Sequence, residues 1–511
     1  MASITGTSGA DVLTGTTGDD IIDGMAGNDI LDGGLGADVL NGGSGRDTYY
    51  VDDVGDVIVE ASSPHPEADK DLVYSSIDYT LGSYVEDLRL TGTLDIDATG
   101  NSLANNIRGN DGNNILIGGD GDDMLSGWEG DDVIYGGAGN DWLIGSANGS
   151  SGTDTDWLIG GLGDDYYQVD RFDVIVELAG EGNDTISTYG LSHTLDPSSN
   201  IENLEIRRPG PDGTTSYAVG IGNDLDNQLR TYDNSVNFYG GRGNDSYFVF
   251  TNIASVHENP GEGIDTVEMV GHGSYVIPDN VENLRLQTDG GLMTGNALDN
   301  SFYLFWYSNV ATYAGLGGND TYYVLQSQTA ITIIENANEG MDTVIAEQSH
   351  ALAANVENLI LSSTATGPQV LYDLNGTGNV LNNMITGNIY NNTLNGLAGD
   401  DTLIGGTGND TLSGGAGSDR FVFGGERGRD TILDFGAGDV ISLNGYTVTS
   451  FADVQSRMTV SGGDTLITLG TDQQIVVKNF APGAFDAGDF TINAVWGNAV
   501  IAVFKEDPAL D

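Results

Sequence analysis

A nine-residue period constrains this chain more than any other feature of its sequence. Around each repeated Asp the frame is close to Gly-Gly-x-Gly-x-Asp-x-U-x, where U is a large apolar residue, and residues 33–41 are a full copy. Self-similarity at a short fixed period is typical of a solenoid, in which each unit buries its apolar face only against its neighbours. The first run of motif aspartates comprises Asp11, Asp20, Asp29, Asp38 and Asp47.

Two further runs keep the same step. The second begins with weak copies at Asn105 and Asn114, and it contains one six-residue insertion within residues 146–153. The third also begins with weak copies, at Asn383 and Asn392. The motif aspartates of these two runs are Asp123, Asp132, Asp141, Asp156, Asp165, Asp401, Asp410 and Asp419.

Each repeat unit predicts one turn and one short strand. Six residues rich in Gly, Asn and Asp favour a turn, because Gly adopts positive φ without steric cost. The next three residues predict a strand whose middle side chain points inward. Two units would close one coil with a strand on each side, and coils would stack at about 4.8 Å. Asp11, Asp29 and Asp47 would then line one edge, while Asp20 and Asp38 line the other.

The charge of the chain favours a bound multivalent cation. There are 76 acidic and 16 basic residues, so the net charge is −60. Stacked carboxylates repel one another, and a hard cation between coils would remove that repulsion. Ca²⁺ fits because it accepts six to eight oxygens, including backbone carbonyls, whereas Mg²⁺ demands a strict octahedron. With three lysines and no Cys, nucleic-acid binding, disulfides and thiolate metal sites are not expected.

The nonapeptide resembles the RTX (repeats-in-toxin) hemolysin-type calcium-binding repeat family. The resemblance implies an all-β fold, a right-handed parallel β-roll or β-helix solenoid with Ca²⁺ between its coils. In that family the Asp carboxylate and the carbonyls of the Gly-rich turn bind calcium, and about ten ions are expected here. Asn105, Asn114, Asn383 and Asn392 depart from the pattern, so their turns predict weak or empty sites.

Carried over to this chain, the resemblance implies two sets of metal ligands. The first set is the motif aspartates of the three runs, together with Asp245 in the copy at residues 240–245. The second set is the turn glycines Gly33, Gly34, Gly36, Gly42, Gly43, Gly45, Gly118, Gly119, Gly121, Gly136, Gly137, Gly139, Gly405, Gly406, Gly408, Gly414, Gly415 and Gly417.

A longer repeat fills the stretches between the runs. It opens with Asp and an aromatic pair, which follows directly at Asp165 and after one further residue at Asp47, Asp245 and Asp320, and a Val-Glu-Asn-Leu-like segment comes later. We expect these inserts to continue the coil without regular calcium turns. Their paired aromatics favour core and strand-end packing over a ligand-stacking platform. Asp320 is the weaker ligand candidate because its glycine frame is shifted by two residues.

The organisation predicted from these patterns has six parts. They are an RTX block at 1–50, a β-helical insert at 51–98, a second block at 99–167, β-helical units with degenerate copies at 168–377, a third block at 378–422, and a C-terminal cap at 423–511. The cap is predicted to contain short strands and a helix near Phe451 to Met458. It resembles the end region of RTX exoproteins, which implies an uncleaved type I secretion signal.

Targeting segments and catalytic motifs in the sequence bear on localisation and function. Residues 1–17 lack the basic and apolar regions of a signal peptide, and no run is long enough to span a membrane. A calcium-dependent roll needs a compartment with millimolar Ca²⁺, and the RTX resemblance implies type I secretion, so an extracellular or cell-surface protein exported by that route is expected. His-Glu-x-x-His, Gly-x-Ser-x-Gly and P-loop motifs are absent from the sequence, and the five histidines are interpreted as solvated turn residues. Paired acids of a glycosidase cannot be recognised among so many carboxylates.

Two classes of function remain open at this stage. The first is a non-enzymatic structural or surface component of the S-layer, adhesin or matrix type. The second is a polysaccharide-binding or polysaccharide-modifying exoprotein. Calcium ions are the expected partners, with self-assembly or cell-surface polysaccharide through Ca²⁺ bridges as further ones; a membrane span is not expected.

Overall fold

The structure is a computed structural model. It describes residues 1–60, 70–146, 154–207, 218–232, 236–250, 255–270, 273–287, 291–304, 310–325, 330–362, 373–425 and 427–493. Within these ranges the protein is all-β apart from one six-residue α-helix and two short 3-10 helices. The chain divides into two compact units, Met1–Gly263 and Ile264–Asp511.

The first unit contains 27 strands in its described part. Most are only a few residues long, as expected for one side of a short coil. They are β1 (Ser3–Thr5), β2 (Val12–Thr16), β3 (Ile21–Asp23), β4 (Ile30–Gly34), β5 (Val39–Gly43), β6 (Thr48–Val51), β7 (Val57–Glu60), β8 (Leu72–Ser75), β9 (Tyr79–Thr80), β10 (Asp87–Leu90), β11 (Ala98–Thr99), β12 (Asn106–Arg108), β13 (Ile115–Asp120), β14 (Met124–Trp128), β15 (Val133–Ala138), β16 (Trp142–Ser146), β17 (Trp157–Leu162), β18 (Tyr166–Gln168), β19 (Val174–Val176), β20 (Thr185–Tyr189), β21 (His193–Thr194), β22 (Asn203–Arg207), β23 (Ala218–Ile221), β24 (Gln228–Thr231), β25 (Val236–Tyr239), β26 (Ser246–Val249) and β27 (Ser255–His257).

The second unit continues with strands of the same kind and ends in a different arrangement. Its strands are β28 (Thr266–Met269), β29 (Tyr275–Val276), β30 (Asn283–Leu286), β31 (Leu292–Thr294), β32 (Ser301–Leu304), β33 (Val310–Ala314), β34 (Thr321–Val324), β35 (Ala330–Ile334), β36 (Thr343–Ala346), β37 (His350–Ala351), β38 (Asn358–Leu361), β39 (Asn375–Thr377), β40 (Met384–Thr386), β41 (Thr393–Ala398), β42 (Thr402–Ile404), β43 (Thr411–Ala416), β44 (Arg420–Phe423), β45 (Gly428–Ile432), β46 (Val440–Asn444), β47 (Met458–Ser461), β48 (Asp464–Gly470), β49 (Gln473–Val477) and β50 (Phe490–Asn493). The α-helix α1 is Phe451–Ser456, and the 3-10 helices are Pro482–Ala484 and Ala487–Asp489.

In the solenoid each strand pairs in parallel with the strand two places along the chain, not with its immediate neighbour. β13 pairs with β15, which aligns Leu116 with Ile134, and β14 pairs with β16, which aligns Leu125 with Leu143. In both pairs the partner lies two nonapeptides further along the chain, so two nonapeptides form one coil with a strand on each side. The all-β parallel solenoid expected from the repeat is confirmed.

The core lies between the two strand rows of each coil. Side chains alternate along each strand, and the inward ones form apolar columns. In the second unit, Leu284, Phe302, Tyr322, Val344 and Leu359 stack on successive strands and are fully buried. Because such residues recur along the strand rows from coil to coil, stability is distributed along the solenoid.

The inserts keep the same register although their coils differ in length. Tyr49 aligns with Val73, Val73 with Leu88, and Leu88 with Ile107. The step from Tyr49 to Val73 is longer than two nonapeptides, and the step from Val73 to Leu88 is shorter. The strand register is kept across coils of unequal length, and the coil continues as expected.

The cap closes the second unit with antiparallel strands. β47 pairs with β48 and β48 with β49, both antiparallel, while β49 joins the parallel row next to β45. The α-helix begins after Ser450, whose hydroxyl accepts a hydrogen bond from the Asp453 N–H, close to the expected position. Rings of Phe435, Phe480 and Phe485 pack with centroids within 5.4 Å of one another, so the last coil ends against an aromatic cluster.

The histidine interpretation is wrong for the three histidines among the described residues, because His193, His257 and His350 all lie in strands. His193 and His350 lie in the short strands β21 and β37 and are half-buried. Burial lowers the pKa of His193 to about 4 and also lowers that of His350. His65, His272, the inserted residues 147–153 and the end of the predicted secretion signal (494–511) lie outside the described residues.

Candidate calcium sites

The motif aspartates form columns along the edges of the coils. Each backbone N–H donates to Oδ1 of the Asp one coil further on. The donor–acceptor distance is 2.7 Å from Asp11 to Asp29, 2.7 Å from Asp29 to Asp47 and 2.6 Å from Asp20 to Asp38. The expected stacking of alternate motif aspartates is confirmed, and one carboxylate oxygen of each acceptor is used in holding the column together.

The columns also run through the insertion in the second block. Asp123 N–H donates to Asp141 over 2.8 Å, and Asp132 N–H donates to Asp156 over 2.9 Å although the latter pair is 24 residues apart. Asp141 and Asp165 continue the other edge at 2.8 Å. The six inserted residues therefore leave the backbone ladder intact.

The second oxygen of many motif aspartates is buried and has no hydrogen-bond partner among the described residues. Leaving a buried acceptor unpaired costs about 1–3 kcal/mol, and more when it is charged. Burial raises the pKa of Asp132 to about 8 and the pKa of Asp123 and Asp141 to about 7. A cation in contact with these oxygens would remove the cost. The residues with such an Oδ2 are Asp29, Asp38, Asp123, Asp132, Asp141, Asp165, Asp320 and Asp401.

Glycine carbonyls complete an oxygen-only cradle. A Cβ on Gly118 would collide with both Asp123 Oδ2 and the carbonyl oxygen of Gly136. The same arrangement recurs at Gly136, beside Asp141. Two oxygens from adjacent coils thus converge where a side chain is forbidden, and such carboxylate and carbonyl donors are the ones that Ca²⁺ prefers.

Backbone conformation explains the other turn glycines. The predicted ligands at the second and fourth positions of the frame all have positive φ, for example 119° at Gly119 and 113° at Gly121. Only Gly adopts this region without strain. At the second position the frame also tolerates Met25, Trp128 and Leu397, with φ of 77°, 88° and 79°.

Three predicted ligands differ from the rest. Asp11 Oδ2 accepts bonds from the Thr7 N–H and hydroxyl, at 2.5 and 2.8 Å. Asp20 Oδ2 accepts the same pair from Thr16, at 2.6 and 2.7 Å, and Asp156 Oδ2 lies 3.5 Å from the Ser146 hydroxyl. Here a hydroxyl side chain at the second position of the frame contacts the oxygen that has no partner in the eight aspartates named above.

Asparagine closes its turns with hydrogen bonds. The Asn114 amide donates to the Ile96 carbonyl at 2.6 Å, and the Asn392 amide donates to the Leu374 carbonyl at 3.0 Å. Asn105 and Asn383 make the equivalent contacts to Glu86 and Glu357. Because an amide supplies both donor and acceptor, these turns need no cation, which is the physical basis for expecting weak or empty sites there.

A second Asn four residues earlier completes each of these turns, and sequence reasoning missed its role. Asn110 N–H donates to Asn114 Oδ1 at 2.9 Å, and the Asn114 amide donates back to Asn110 Oδ1 at 3.0 Å. The signal was present in the Gly-Asn returns of the sequence. The partners in the other turns are Asn101, Asn223, Asn296, Asn379 and Asn388.

A family model agrees with this geometry. The RTX calcium-binding nonapeptide repeat matches residues 5–40, 31–58, 99–134, 108–143, 129–148, 150–169 and 386–421. These ranges contain every motif Asp of the three runs. The three runs are RTX calcium-binding repeats. Asp245 and Asp320 lie outside the matched ranges and belong to the inserts between the RTX blocks.

Two curated relatives cover parts of the chain. The endo-1,3-1,4-beta-glycanase EglC of Rhizobium meliloti (strain 1021) is 36% identical over 218 residues, which are 43% of this chain and 42% of the relative. The endo-1,3-1,4-beta-glycanase ExsH of the same strain is 41% identical over 70 residues, 13% of this chain and 15% of the relative. The chain therefore spans less than half the length of either relative.

One solved structure matches part of the chain. The extracellular lipase LipA of Serratia marcescens is 15% identical and covers 52% of this chain and 44% of its own, with a TM-score of 0.17. At that score the likeness supports no structural or functional conclusion. In the described part of the chain, no helix has the length and apolar character needed to cross a membrane.

Carboxylate trios at the ends of the RTX blocks and in the inserts were missed by sequence reasoning. In each trio one oxygen of every member lies within 4.8 Å of the others. The signal was a Glu at or just after the end of the strand that follows each opening aromatic pair. Three trios have all their members in the same unit. They are Asp47–Glu60–Asp71, Asp165–Glu177–Asp184 and Asp320–Glu335–Asp342.

The second-unit trio shows the shared geometry. Asp320 N–H donates to Asp342 Oδ1 at 2.9 Å, and the Tyr322 hydroxyl donates to Glu335. Asp320 Oδ2 and Glu335 Oε2 have no hydrogen-bond partner among the described residues. Burial raises the pKa of Asp320 and Glu335 to about 7 and that of Asp342 to about 6. Three such carboxylates could hold a metal ion.

Asp320 occupies its column despite its shifted glycine frame. Asn300 N–H donates to Asp320 Oδ1 at 2.7 Å, as Asn227 N–H does to Asp245. Leu316, at a φ of 75°, lies in the turn that accommodates the shift. The shifted frame predicted that Asp320 is a weaker ligand candidate than Asp245. The structure places the two residues in equivalent positions.

Gly315→Ala tests the second-unit trio. A Cβ there would collide with Asp320 Oδ2, the Tyr322 hydroxyl and Glu335 Oε1. We expect Gly315→Ala to lower the free energy of unfolding in Ca²⁺ by about 1–3 kcal/mol, the usual cost of overpacking, and to reduce the calcium bound. Gly317→Ala is the control, since its nearest atom would be 3.8 Å away. Equal effects in both variants, measured by thermal melting and calcium titration, would contradict the assignment.

Stability without calcium is expected to depend on pH. Burial raises the folded-state pKa of Asp132 and Asp71 to about 8, well above the ordinary value near 3.8. The folded chain then binds more protons than the unfolded chain, so stability falls as pH rises through this window. In chelator, far-UV circular dichroism should show more β-structure at pH 5.5 than at pH 8.5. In saturating Ca²⁺ the dependence should be weaker or reversed, because protons compete with the ion.

Proposed function

We propose that the protein is a secreted calcium-binding exoprotein that folds outside the cell and serves there as a non-enzymatic scaffold. The observation that carries this proposal is the set of buried aspartate oxygens without hydrogen-bond partners among the described residues, placed in columns beside glycine carbonyls. Such columns are costly when empty and stabilising when a divalent cation is bound.

Calcium would gate folding through mass action. An ion that binds the folded coils but not the unfolded chain stabilises the fold by an amount that grows with its concentration. In the cytosol, where Ca²⁺ is scarce, repulsion among 76 acidic residues would keep the chain extended for type I export. Outside the cell, millimolar Ca²⁺ would complete the solenoid.

The names of the relatives favour a second candidate function. Both are endo-1,3-1,4-beta-glycanases, which supports a polysaccharide-related role for the region they share. In that case this chain would bind or modify an extracellular polysaccharide. Self-assembly into a surface layer or matrix remains the role proposed for the scaffold.

One pair of measurements separates the two roles. Cells secreting the protein are imaged by electron microscopy in millimolar Ca²⁺ and after chelation, and the purified protein is incubated with a mixed-linkage β-1,3-1,4-glucan. Sheets or fibres that disappear in chelator support the scaffold. Release of reducing ends would overturn the non-enzymatic assignment, and the absence of any assembly would overturn the scaffold.

A further inference from the structure

The outer face of one strand row in the first unit carries an ordered column of aromatic and cationic side chains. Tyr50, Tyr74, Arg89 and Arg108 are aligned on β6, β8, β10 and β12 as direct cross-strand partners. Their sequence neighbours Tyr49, Val73, Leu88 and Ile107 are fully buried, so the alternation turns the column outward. At about 4.8 Å per strand, it extends about 14 Å along the solenoid.

The two tyrosine rings of this column stack on each other and are accessible to solvent. Tyr50 and Tyr74 stack with centroids 5.3 Å apart and planes 13° from parallel, and Tyr50 is 44% exposed. The Arg108 guanidinium lies 3.2 Å above the centre of the Trp128 ring. The opening aromatic pair Tyr49–Tyr50 is thus split, with one ring in the core and its neighbour outside.

A shallow groove lies along this column from Tyr74 onward, and Tyr50 stacks on Tyr74 at its edge. Its volume is about 530 Å³, and its lining includes Tyr74, Arg89, Arg108, Asp111 and Trp128. Trp128 is the aromatic residue that occupies a second-glycine position, at a φ of 88°. Met25 and Leu397 occupy the same frame position with similar φ, so what distinguishes Trp128 is its aromatic ring beneath the Arg108 guanidinium.

The two arginines lack an ion pair, which is unusual in a chain of net charge −60. Within the described residues, neither Arg89 nor Arg108 has a carboxylate within 4.0 Å. Burial and the neighbouring charge of Arg89 lower the pKa of Arg108. By contrast, Arg207 further along the same unit is paired with Glu205 at 3.0 Å. The groove therefore presents two adjacent donors that an anionic ligand would neutralise.

We propose that this groove binds an acidic polysaccharide, with Arg89 and Arg108 on its carboxylates and Tyr50, Tyr74 and Trp128 against its sugar rings. Guanidinium groups match carboxylates in a bidentate geometry, and flat aromatic rings pack on the apolar faces of pyranoses. The strand spacing is close to the length of one sugar residue in an extended chain. The inference rests on the polysaccharide-related candidate function and names its substrate class.

Calcium supports the same interaction at longer range. An anionic chain would be repelled by empty acidic turns, whereas bound ions neutralise part of that charge. Binding should therefore require Ca²⁺ and weaken with added salt, because exposed charge interactions are screened.

The test measures binding of purified full-length protein to hyaluronan, which carries a carboxylate on alternate sugars, and to neutral β-1,3-1,4-glucan, both in millimolar Ca²⁺. The double variant Arg89→Gln/Arg108→Gln should bind hyaluronan about tenfold or more weakly, as expected when charged hydrogen bonds are lost. Trp128→Gly, which restores the usual glycine of the frame, should also weaken binding. Arg427→Gln/Arg429→Gln removes two exposed arginines elsewhere and should change the affinity less than twofold.

Three outcomes would overturn the proposal: no binding to hyaluronan, equal binding of the neutral glucan, or equal losses in the two double variants. Folding in response to Ca²⁺ is followed by circular dichroism in every variant. If that response persists while hyaluronan binding fails, the groove assignment is wrong and the calcium-folded scaffold stands. If the unaltered protein shows no response to Ca²⁺, the scaffold itself is overturned.

Discussion

Removal of calcium is expected to abolish most of the β-structure of the protein at neutral pH. At a Ca²⁺ concentration 100-fold above its Kd, each site that binds only the folded state contributes about 2.7 kcal/mol. Eight aspartates of the columns have a buried Oδ2 without a hydrogen-bond partner among the described residues, and a small number of such sites already exceeds the roughly 5–15 kcal/mol by which folded proteins are typically stable. Far-UV circular dichroism in excess chelator should therefore lose its β signal.

The matched control for this experiment replaces Ca²⁺ with Mg²⁺ at equal ionic strength. Magnesium screens surface repulsion as well as calcium does, but it demands a strict octahedron and keeps its waters. Calcium should restore the β signal in a cooperative titration, and Mg²⁺ should restore much less. A β signal that survives chelation at pH 8 would show that the columns are stable without ions and would refute calcium gating.

Asp132→Asn is expected to change stability in opposite directions with and without calcium. Asp132 lies in the middle of its column, accepting from Asn114 N–H at 2.7 Å and donating to Asp156 at 2.9 Å. An amide keeps the Oδ1 acceptor but removes the charge. In Ca²⁺ we expect the loss of one or two bound ions and a destabilisation of about 3–5 kcal/mol, from the same mass-action relation. In chelator at pH 8.5 the variant should be slightly more stable, because Asp132, whose pKa is raised to about 8 by burial, would otherwise carry an unpaired buried charge there.

Glu129→Gln is the control for Asp132→Asn. Glu129 belongs to the same turn, carries the same charge and is exposed, so its neutralisation tests the general effect of one charge less. It should leave the number of bound ions unchanged and shift stability by less than about 0.5 kcal/mol, as is usual at the surface. If Asp132→Asn destabilises the protein equally in both conditions, Asp132 is a structural residue and not a calcium ligand.

The Asn turns suggest why some coils need no ion. Wherever Asn replaces the motif Asp in the described coils, a second Asn four residues earlier donates its N–H to Oδ1 of the first, as Asn110 does to Asn114. These turns precede the acidic ones in the second and third RTX blocks. The solenoid therefore contains coils closed by hydrogen bonds next to coils that depend on cations.

The nonapeptide period by itself determined the solenoid, the column geometry and the kind of repeat. Two nine-residue units make one coil. The parallel strand spacing then places Asp29 between Asp11 and Asp47 in one column, and no further information is needed. Positive φ at residues such as Gly119 and Gly121 also follows from the frame, because the turn cannot close otherwise.

Only the tertiary structure decided what happens where the period fails. Insert coils of unequal length align Tyr49, Val73, Leu88 and Ile107, and no repeat in the sequence states those lengths. Coils of this kind bring Asp320, Glu335 and Asp342 together and turn Tyr74, Arg89 and Arg108 to one outer face. Contacts between coils depend on the register in which strands of unequal coils pair, which is a property of the packed chain and not of local sequence.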